Sequence, residues 1–300
     1  MDNKKLKSEN TKLVIAISSR ALFNLDQSHK IFKEKGIAAY AKHQQENEHI
    51  ILEPGVGFTL VKKLLKLNSE KTPIDVILLS RNSADTGLRI FNSIEHYGLN
   101  ISRAAFTRGE STHPFVGAFE ADLFLSSNYN DVQKALQSGY AAASIVESKS
   151  NNSHPSQLRI AFDGDAVIFS DEAERIFQEK GLEAFHENEI LSEKIELKAG
   201  PFKSFLVSLQ KIQSTFPEED NPIRTALVTA RSAPSHRRVI HTMREWGIRI
   251  DESFFLGGLE KGVFLRQFAA DIFFDDQQQH CESASQYVPT GHVPSGIKNS

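Results

Sequence analysis

The sequence is organised around the segment LRIAFDGDAVIFSDEAERIFQEKGLEAF, residues 158–185, because a second version of it occurs earlier in the chain. The earlier version, LVIAISSRALFNLDQSHKIFKEKGIAAY at residues 13–40, aligns without gaps and is identical at 11 of 28 positions. After a four-residue insertion in the second half, the alignment continues in one register through two further pairs of segments, 73–101 with 222–250 and 120–128 with 269–277. Chance similarity rarely keeps one register through three segments, so we interpret the chain as an internal duplication.

Each copy alternates short apolar runs with amphipathic helical patterns, which favours parallel strands covered by helices on both faces. The runs predict strands near residues 13–17, 75–80 and 122–126 in the first copy and near 158–162, 225–229 and 271–274 in the second. The sequence therefore predicts an α/β fold of two duplicated Rossmann-like parallel-sheet units, residues 1–146 and 158–300. The polar, Ser/Asn-rich segment at 147–157 is predicted to be the linker between them.

The overall composition is that of a globular protein without a strong charge bias. Of the 300 residues, 40% are hydrophobic and 24% are charged, and the net charge is −3. A net charge this small gives no reason to expect a nucleic acid polymer or an anionic membrane as a partner. The polar first residues lack the apolar core of a secretory signal, and a single cysteine excludes an internal disulfide framework, so we expect a cytoplasmic protein.

The two copies differ most at the carboxyl ends of their predicted strands, which is where ligands bind in open parallel α/β sheets. Charged residues occur at these places almost only in the second copy. The aligned pairs, second copy first, are Asp163 and Ser18, Asp165 and Arg20, Thr229 and Ser80, Lys261 and Thr112, Asp275 and Ser126, and Asp276 and Ser127. Because the first copy keeps the scaffold without these charges, we expect the second copy to hold a site and the first to be a degenerate copy without catalytic acids.

The residue types of the second copy are those of a phosphoryl-transfer site. Carboxylates that converge on one sheet edge repel one another unless a cation lies between them. Oxygen ligands without His or Cys favour Mg²⁺, while a lysine and a threonine hydroxyl suit phosphate oxygens. An aspartate can act as a covalent nucleophile, and a second aspartate two residues later can act as its acid/base partner.

The order D-x-D, Thr, Lys, D-D resembles the haloacid-dehalogenase-like phosphohydrolase superfamily. The segments LRIAFDGDAVIFSDE, PIRTALVTARSA, IFFDDQ and HVPSGI are more closely similar to the cytosolic 5′-nucleotidase type I family. ALFNLD, NEHIILEPGVGF and GYAAASI resemble the N-terminal half of the same family, so the resemblance extends over roughly 13–297. It implies Mg²⁺-dependent hydrolysis of nucleoside 5′-monophosphates, AMP and deoxynucleotides among them, to nucleoside and phosphate.

The resemblance also implies roles for individual residues. Asp163 is the implied nucleophile and Asp165 the acid/base, while Thr229 and Lys261 hold the phosphoryl group. The implied Mg²⁺ ligands are Asp163, the backbone carbonyl of Asp165, and Asp275, with Asp276 in support through water. A mostly helical insertion at about 170–221 is expected to form a cap over the nucleoside.

Several assignments stay open at this point. Arg231 and Lys203 are tentative substrate contacts, and for Arg231 a surface position without function is the alternative. Phe177, Phe185 and Phe202 could stack on the base, but core packing is the favoured interpretation. The substrate could instead be another small phosphoester, or the chain could be a nucleotide-sensing or scaffold protein in which residues 1–146 bind an effector or form a homo-oligomer interface.

Overall fold

The computed structural model describes residues 12–146, 148 and 153–299, so residues 147 and 149–152 of the predicted linker lie outside it. Ten strands form one sheet in the order β3-β2-β1-β4-β5-β10-β9-β6-β7-β8. The strands are β1 Leu13–Ser18, β2 Ile74–Ser80, β3 Arg103–Phe106, β4 Leu123–Ser126, β5 Ala141–Val146, β6 Leu158–Phe162, β7 Ile223–Thr229, β8 Glu252–Phe255, β9 Ile272–Asp275 and β10 Thr290–His292. All neighbouring pairs are parallel except β5 and β10, which are antiparallel.

Helices connect the strands within each half of the sheet. They are α1 Ser19–Leu22, α2 Asp26–Glu46, α3 Phe58–Leu67, α4 Leu88–His96, α5 Pro114–Ala118, α6 Tyr129–Gln137, α7 Glu172–Leu191, α8 Lys203–Gln213, α9 His236–Glu245, α10 Gly262–Phe268 and α11 Gln278–Ala284. Within the described residues, none of these helices is long and apolar enough to span a bilayer. The predicted α/β fold of parallel strands and helices is confirmed, and the strands of both predicted units lie in one mostly parallel sheet.

The core has a different organisation on the two faces of the sheet. On one face, the odd-numbered residues of β1 and the even-numbered residues of β6 belong to one cluster that runs through both halves and includes α3 and α8. On the other face, each half has a separate, smaller cluster. The alternation of side chains along each strand therefore buries both faces, as the continuous apolar runs predict.

The two halves are joined by reciprocal contacts at equivalent positions. Lys63 of α3 forms an ion pair with Asp271, which precedes β9, at 2.7 Å. At the aligned positions, Ser208 of α8 donates to Asp122, which precedes β4, at 2.8 Å. Each half thus sends one helix across to the acid that precedes a central strand of the other, so the sheet forms one continuous structure.

A shared glycine breaks the long helix at the same point in both halves. Gly36 in α2 has φ 79° and ψ −177°, and Gly181 in α7 has φ 81° and ψ −177°. Only glycine adopts this backbone conformation readily. The EKG sequence that recurs in the two copies therefore has a structural cause, which is the need to redirect the chain in the middle of this segment.

Candidate active site

Asp163 directly follows β6, the strand that lies between β7 and β9 in the second half of the sheet. Its backbone N–H donates to the carbonyl of Phe274 at 2.8 Å, which continues the sheet pairing by one residue. Its side chain is buried, and its Oδ1 accepts a hydrogen bond from Lys261 Nζ at 2.6 Å. The sheet and the lysine together fix the carboxylate that the sequence predicts as the nucleophile.

A tight turn at Gly164–Ile168 follows this strand. A Cβ atom on Gly164 would lie 3.3 Å from Oγ1 of Thr229, so glycine lets the turn approach the end of β7 closely. Asp165 keeps an extended backbone, with φ −71° and ψ 140°, and Ala166 then reverses the chain with φ 59°. The turn therefore presents Asp163 and Asp165 at the same edge of the sheet.

Lys261 joins two of the predicted acids. Its Nζ lies 2.6 Å from Asp163 Oδ1 and 2.6 Å from Asp275 Oδ2, and all three side chains are buried. Burial alone would lower the pKa of Lys261, but the two carboxylates outweigh it and hold the pKa above its usual range. Burial would raise the pKa of Asp275, but Lys261 and His280 outweigh this effect and hold it at about 2.

The acids at this edge can also hold a cation. Oxygen atoms of Asp163, Asp275 and Asp276 all lie within 4.8 Å of one another. The Asp276 carboxylate is buried and has no hydrogen-bond or ion-pair partner among the described residues. Burial, and then the charges of Asp163 and Asp275, raise the pKa of Asp276 to about 9. Burial, only partly opposed by Lys261, also raises the pKa of Asp163 to about 7.

These three carboxylates fit a divalent metal ion, since burial and mutual repulsion raise the pKa of Asp163 and Asp276 and a cation would offset both effects. Carboxylate oxygens are hard ligands of the kind that Mg²⁺ prefers. The carboxylate of Asp165 is not in this group, because it contacts Arg231 instead. A contribution from Asp165 to metal binding would therefore come from its backbone carbonyl, as the resemblance implies.

Thr229 is the last residue of β7 and is almost completely buried. Its Oγ1 accepts a hydrogen bond from the backbone N–H of Arg231 at 3.2 Å. Because a hydroxyl can accept and donate at the same time, its proton is available for a ligand oxygen. This position suits the predicted contact with a phosphoryl group.

Arg231 lies in a buried chain of charges that the sequence did not reveal. Its Nε and Nη2 contact both oxygens of Asp165 at 2.8 Å, and its Nη1 contacts Glu189 of α7 at 2.5 Å. Glu189 also accepts from Arg238 Nη1 at 2.8 Å, and Arg238 Nε donates to the carbonyl of Ile195. The guanidinium of Arg231 therefore positions Asp165 and ties it to α7; a direct contact of Arg231 with substrate stays a prediction.

The first half contains a less charged version of this side-chain network. Gln44 and Arg89 align with Glu189 and Arg238, and Arg89 contacts both Gln44 and the carbonyl of Ile50. The exchange of Gln44 for Glu189 between two otherwise equivalent helices is the sequence signal that could have identified this network. The difference lies within a helix, away from the strand ends at which ligands of parallel α/β sheets are expected.

The remaining predicted residues are Lys203 and three phenylalanines, whose observed contacts are with residues other than the clustered acids. Lys203, at the start of α8, has its ammonium 4.0 Å from the ring centroid of Trp246, and it has no ion pair with the acids among the described residues. Phe202 is fully buried against Phe162 and Phe274, which agrees with core packing. Phe185 is buried under Arg231, whereas Phe177 is 45% exposed.

A buried aspartate at a strand end, a lysine, a threonine hydroxyl and an acidic cluster able to hold a cation lie at one edge of the α/β sheet, and together they form a candidate phosphoryl-transfer site. A family model described as 5′-nucleotidase matches residues 5–300. The chain therefore belongs to the 5′-nucleotidase family, and its predicted resemblance to that family is confirmed.

A curated relative supports the same family. The chain is 40% identical over 288 residues to human cytosolic 5′-nucleotidase 1B, and the alignment covers 91% of this chain and 47% of the human protein. The chain thus spans about half the length of that relative. No solved structure shows significant similarity to the chain.

Proposed function

We propose that the protein hydrolyses nucleoside 5′-monophosphates, including AMP and deoxynucleotides, to nucleoside and phosphate with the help of Mg²⁺. The observation that carries this proposal is the contact of Asp163 with Lys261 beside the unpartnered carboxylate of Asp276. Membership of the 5′-nucleotidase family supports a nucleotide as the substrate, and the human relative is also named as a 5′-nucleotidase.

In the proposed reaction, a carboxylate oxygen of Asp163 attacks phosphorus, and the bond from phosphorus to the 5′-oxygen of the nucleoside breaks. Asp165 gives its proton to that oxygen, and the phosphoryl group becomes covalently attached to Asp163. Asp165 then accepts a proton from water, which attacks phosphorus, releases phosphate and restores Asp163. The bidentate contact with Arg231 fixes the orientation of Asp165 at the edge where both proton transfers take place.

Lys261 and Thr229 are proposed to hold the phosphoryl oxygens during both steps. Mg²⁺ would be held by Asp163, Asp275 and the backbone carbonyl of Asp165, with Asp276 acting through water. When bound, the ion supplies positive charge that offsets the charge on the transferring group.

We further propose that the chain is a duplication of haloacid-dehalogenase-like units, with a degenerate copy at 1–146, a linker at 147–157 and a catalytic copy at 158–300. The matching strand order of the two halves and the paired helix breaks at Gly36 and Gly181 support this division. Within the proposed cap at about 170–221, α7 carries Glu189 to Arg231, whereas α8 packs into the shared core. The covering role therefore falls to α7.

The cellular setting follows from the comparison with the human relative. We expect the protein in the cytoplasm, in line with the word cytosolic in that relative's name. Homo-oligomer formation stays a prediction. We do not expect a nucleic acid polymer or a membrane as a partner.

The proposal is tested by phosphate release from a panel of phosphoesters with Mg²⁺ present. Wild-type protein should release phosphate from AMP and dAMP, and Asp163→Asn should abolish release. Asp171→Asn is the matched control: it is the same substitution eight residues on, at an acid paired with Arg175 outside the cluster, and it should retain activity. Turnover by Asp163→Asn would exclude the proposed nucleophile, and a preference for sugar phosphates would exclude the nucleotidase assignment.

A further inference from the structure

The first half of the chain contains a cavity of about 810 Å³ at the carboxyl ends of β1, β2 and β4. Helix α2 covers one side of it, as α7 covers the acids in the second half. This volume is within the range of small-molecule sites in proteins. The cavity occupies the position in the first half that the catalytic acids occupy in the second.

The residues at the strand-end wall of the cavity suit an anion without a metal ion. Ser18, Thr112 and Ser126 line it where the catalytic copy has Asp163, Lys261 and Asp275, and Arg20 replaces Asp165. Four neutral or positive side chains at these positions do not repel a phosphate group, whereas the acids of the second half do unless a cation is bound. Hydroxyl groups and arginine are suitable donors to phosphate oxygens.

The balance of charge in the cavity lining is positive. Three arginines line it, namely Arg20, Arg81 and Arg108, against two acids, Asp85 and Asp131. Both oxygens of Asp131 are already engaged by Arg81, at 2.7 and 2.9 Å. Arg20 forms only a surface ion pair with Asp26 at 3.2 Å, and Arg108 is exposed and has no ion pair among the described residues. Two arginines can therefore turn to a ligand at low cost.

Two buried donors in the cavity lining also lack acceptors. Arg20 Nε and Asn82 Nδ2 have no hydrogen-bond partner in the described part of the chain. Buried donors without partners are rare in folded proteins and are costly. Asn82 aligns with Arg231 of the catalytic copy, so both donors lie where the second half binds or positions charged groups.

The side of the cavity formed by α2 is apolar. Phe32 and Ile37 are 45% and 63% exposed, and Tyr40 contacts Phe32 edge to face. Exposed apolar residues beside a positively charged wall suit a ligand with an anionic end and a planar or apolar body. We propose that this cavity is a non-catalytic binding site for a phosphomonoester with such a body, of which a nucleoside monophosphate is the simplest example.

The site cannot hydrolyse its ligand by the mechanism proposed for the second half, because no carboxylate stands at the nucleophile position. It is nevertheless close to the catalytic acids. Ser126 and Asp275 lie in one row of paired residues across β4, β5, β10 and β9, three strand spacings or about 14 Å apart. The two sites are therefore neighbours with different requirements for metal.

The test is calorimetric titration of AMP into Asp163→Asn protein with EDTA, conditions in which no metal ion is bound and nothing is turned over; the variants below decide which half of the sheet holds the AMP. We expect one AMP bound per chain and much weaker binding of adenosine, which lacks the anion. Inorganic phosphate should compete with AMP. Because the readout is binding without Mg²⁺, its result does not depend on whether the protein hydrolyses AMP.

Variants in the same background locate the binding. Arg20→Ala and Arg108→Ala should each weaken AMP binding, and the double variant should weaken it by roughly tenfold or more, since an arginine–phosphate contact is charge-assisted. The control is Arg103→Ala, an exposed arginine of the same half that is paired with Asp75 at the other end of the strands. Absence of metal-free binding, equal binding of adenosine, or unchanged affinity in the folded double variant would overturn the proposal.

Discussion

Replacement of Glu189 by glutamine tests the buried chain of charges that ties Asp165 to α7. The side chain of Glu189 is completely buried, and those of Arg231 and Arg238 are 3% and 5% exposed. Asp165, Arg231, Glu189 and Arg238 together carry two negative and two positive charges. Glu189→Gln leaves one positive charge uncompensated in this buried environment, which typically costs about 3–5 kcal/mol.

The lower end of this range is expected, because Arg231 still has Asp165 as a hydrogen-bond partner and Arg238 still donates to the carbonyl of Ile195. Equilibrium unfolding in urea measures the change; with an m-value near 3 kcal/mol/M, a loss of about 3 kcal/mol shifts the midpoint by about 1 M. Glu187→Gln, an exposed acid on the same helix, is the control and should change stability by less than about 0.5 kcal/mol. A Glu189→Gln protein within about 1 kcal/mol of wild type would refute the assigned role of the network.

The first half of the chain supplies a second variant, because it has Gln44 and Asn82 at the positions of Glu189 and Arg231. Adding Arg231→Asn to Glu189→Gln restores the charge balance and should recover part of the lost stability, about 0.5–3 kcal/mol. Activity should be lower than in the wild type, since Asp165 then loses the guanidinium that positions it. Recovered stability together with wild-type activity would contradict a positioning role for Arg231.

Three further results are expected. Asp276→Asn should lower the apparent Mg²⁺ affinity by roughly 10- to 100-fold in a calorimetric titration, as expected for a supporting ligand, and unchanged affinity would remove it from the metal site. Mg²⁺ affinity should rise between about pH 6 and pH 9, because the protons on Asp163 and Asp276, with pKa values of about 7 and 9, must leave before the ion binds. Both pKa values are raised above 3.8, so the metal-free protein should also lose stability as the pH rises through this window. An Mg²⁺ affinity that does not change with pH would contradict the first statement, and an unfolding free energy that does not change would contradict the second. Lys63→Met should destabilise the protein by about 3 kcal/mol in urea, because it leaves the buried Asp271 without its cation. Ser208→Ala at the aligned position removes only a hydrogen bond and should cost about 1–2 kcal/mol. Equal losses of stability would contradict this difference between the ion pair and the hydrogen bond.

The sequence predicted the parts of the fold and site that depend on strand ends. All six predicted strands are present, and Asp163, Lys261 and Asp275 meet because parallel strands bring their carboxyl ends to one edge. Four strands were not predicted: β3, β5, β8 and β10. The short strands β3 and β8 are only partly buried edge strands, and β10 contains Thr-Gly-His, so these three lack an apolar run long enough to be recognised. Strand β5 has the sequence AAASIV, and its first three residues are alanines, which are depleted in strands.

The antiparallel pairing of β5 with β10 could not be predicted either, because pairing between distant segments leaves no local pattern. The same limit applies to Glu189 and Arg238. A charged residue on an amphipathic helix is usually solvated. Glu189 and Arg238 are buried because they form an ion pair between two helices that are distant in the sequence. Comparison of the two halves along their whole length, rather than at the strand ends alone, would have identified Glu189.

The most direct test of the central claim is to trap the proposed covalent intermediate on Asp163. Wild-type protein is mixed with AMP and Mg²⁺, quenched rapidly in acid, digested and examined by mass spectrometry. We predict that the peptide containing FDGDAVIF carries one phosphoryl group on Asp163 and that Asp163→Asn protein carries none. Turnover of AMP with a phosphoryl group on another residue, or with none detected on Asp163 at any quench time, would contradict the account.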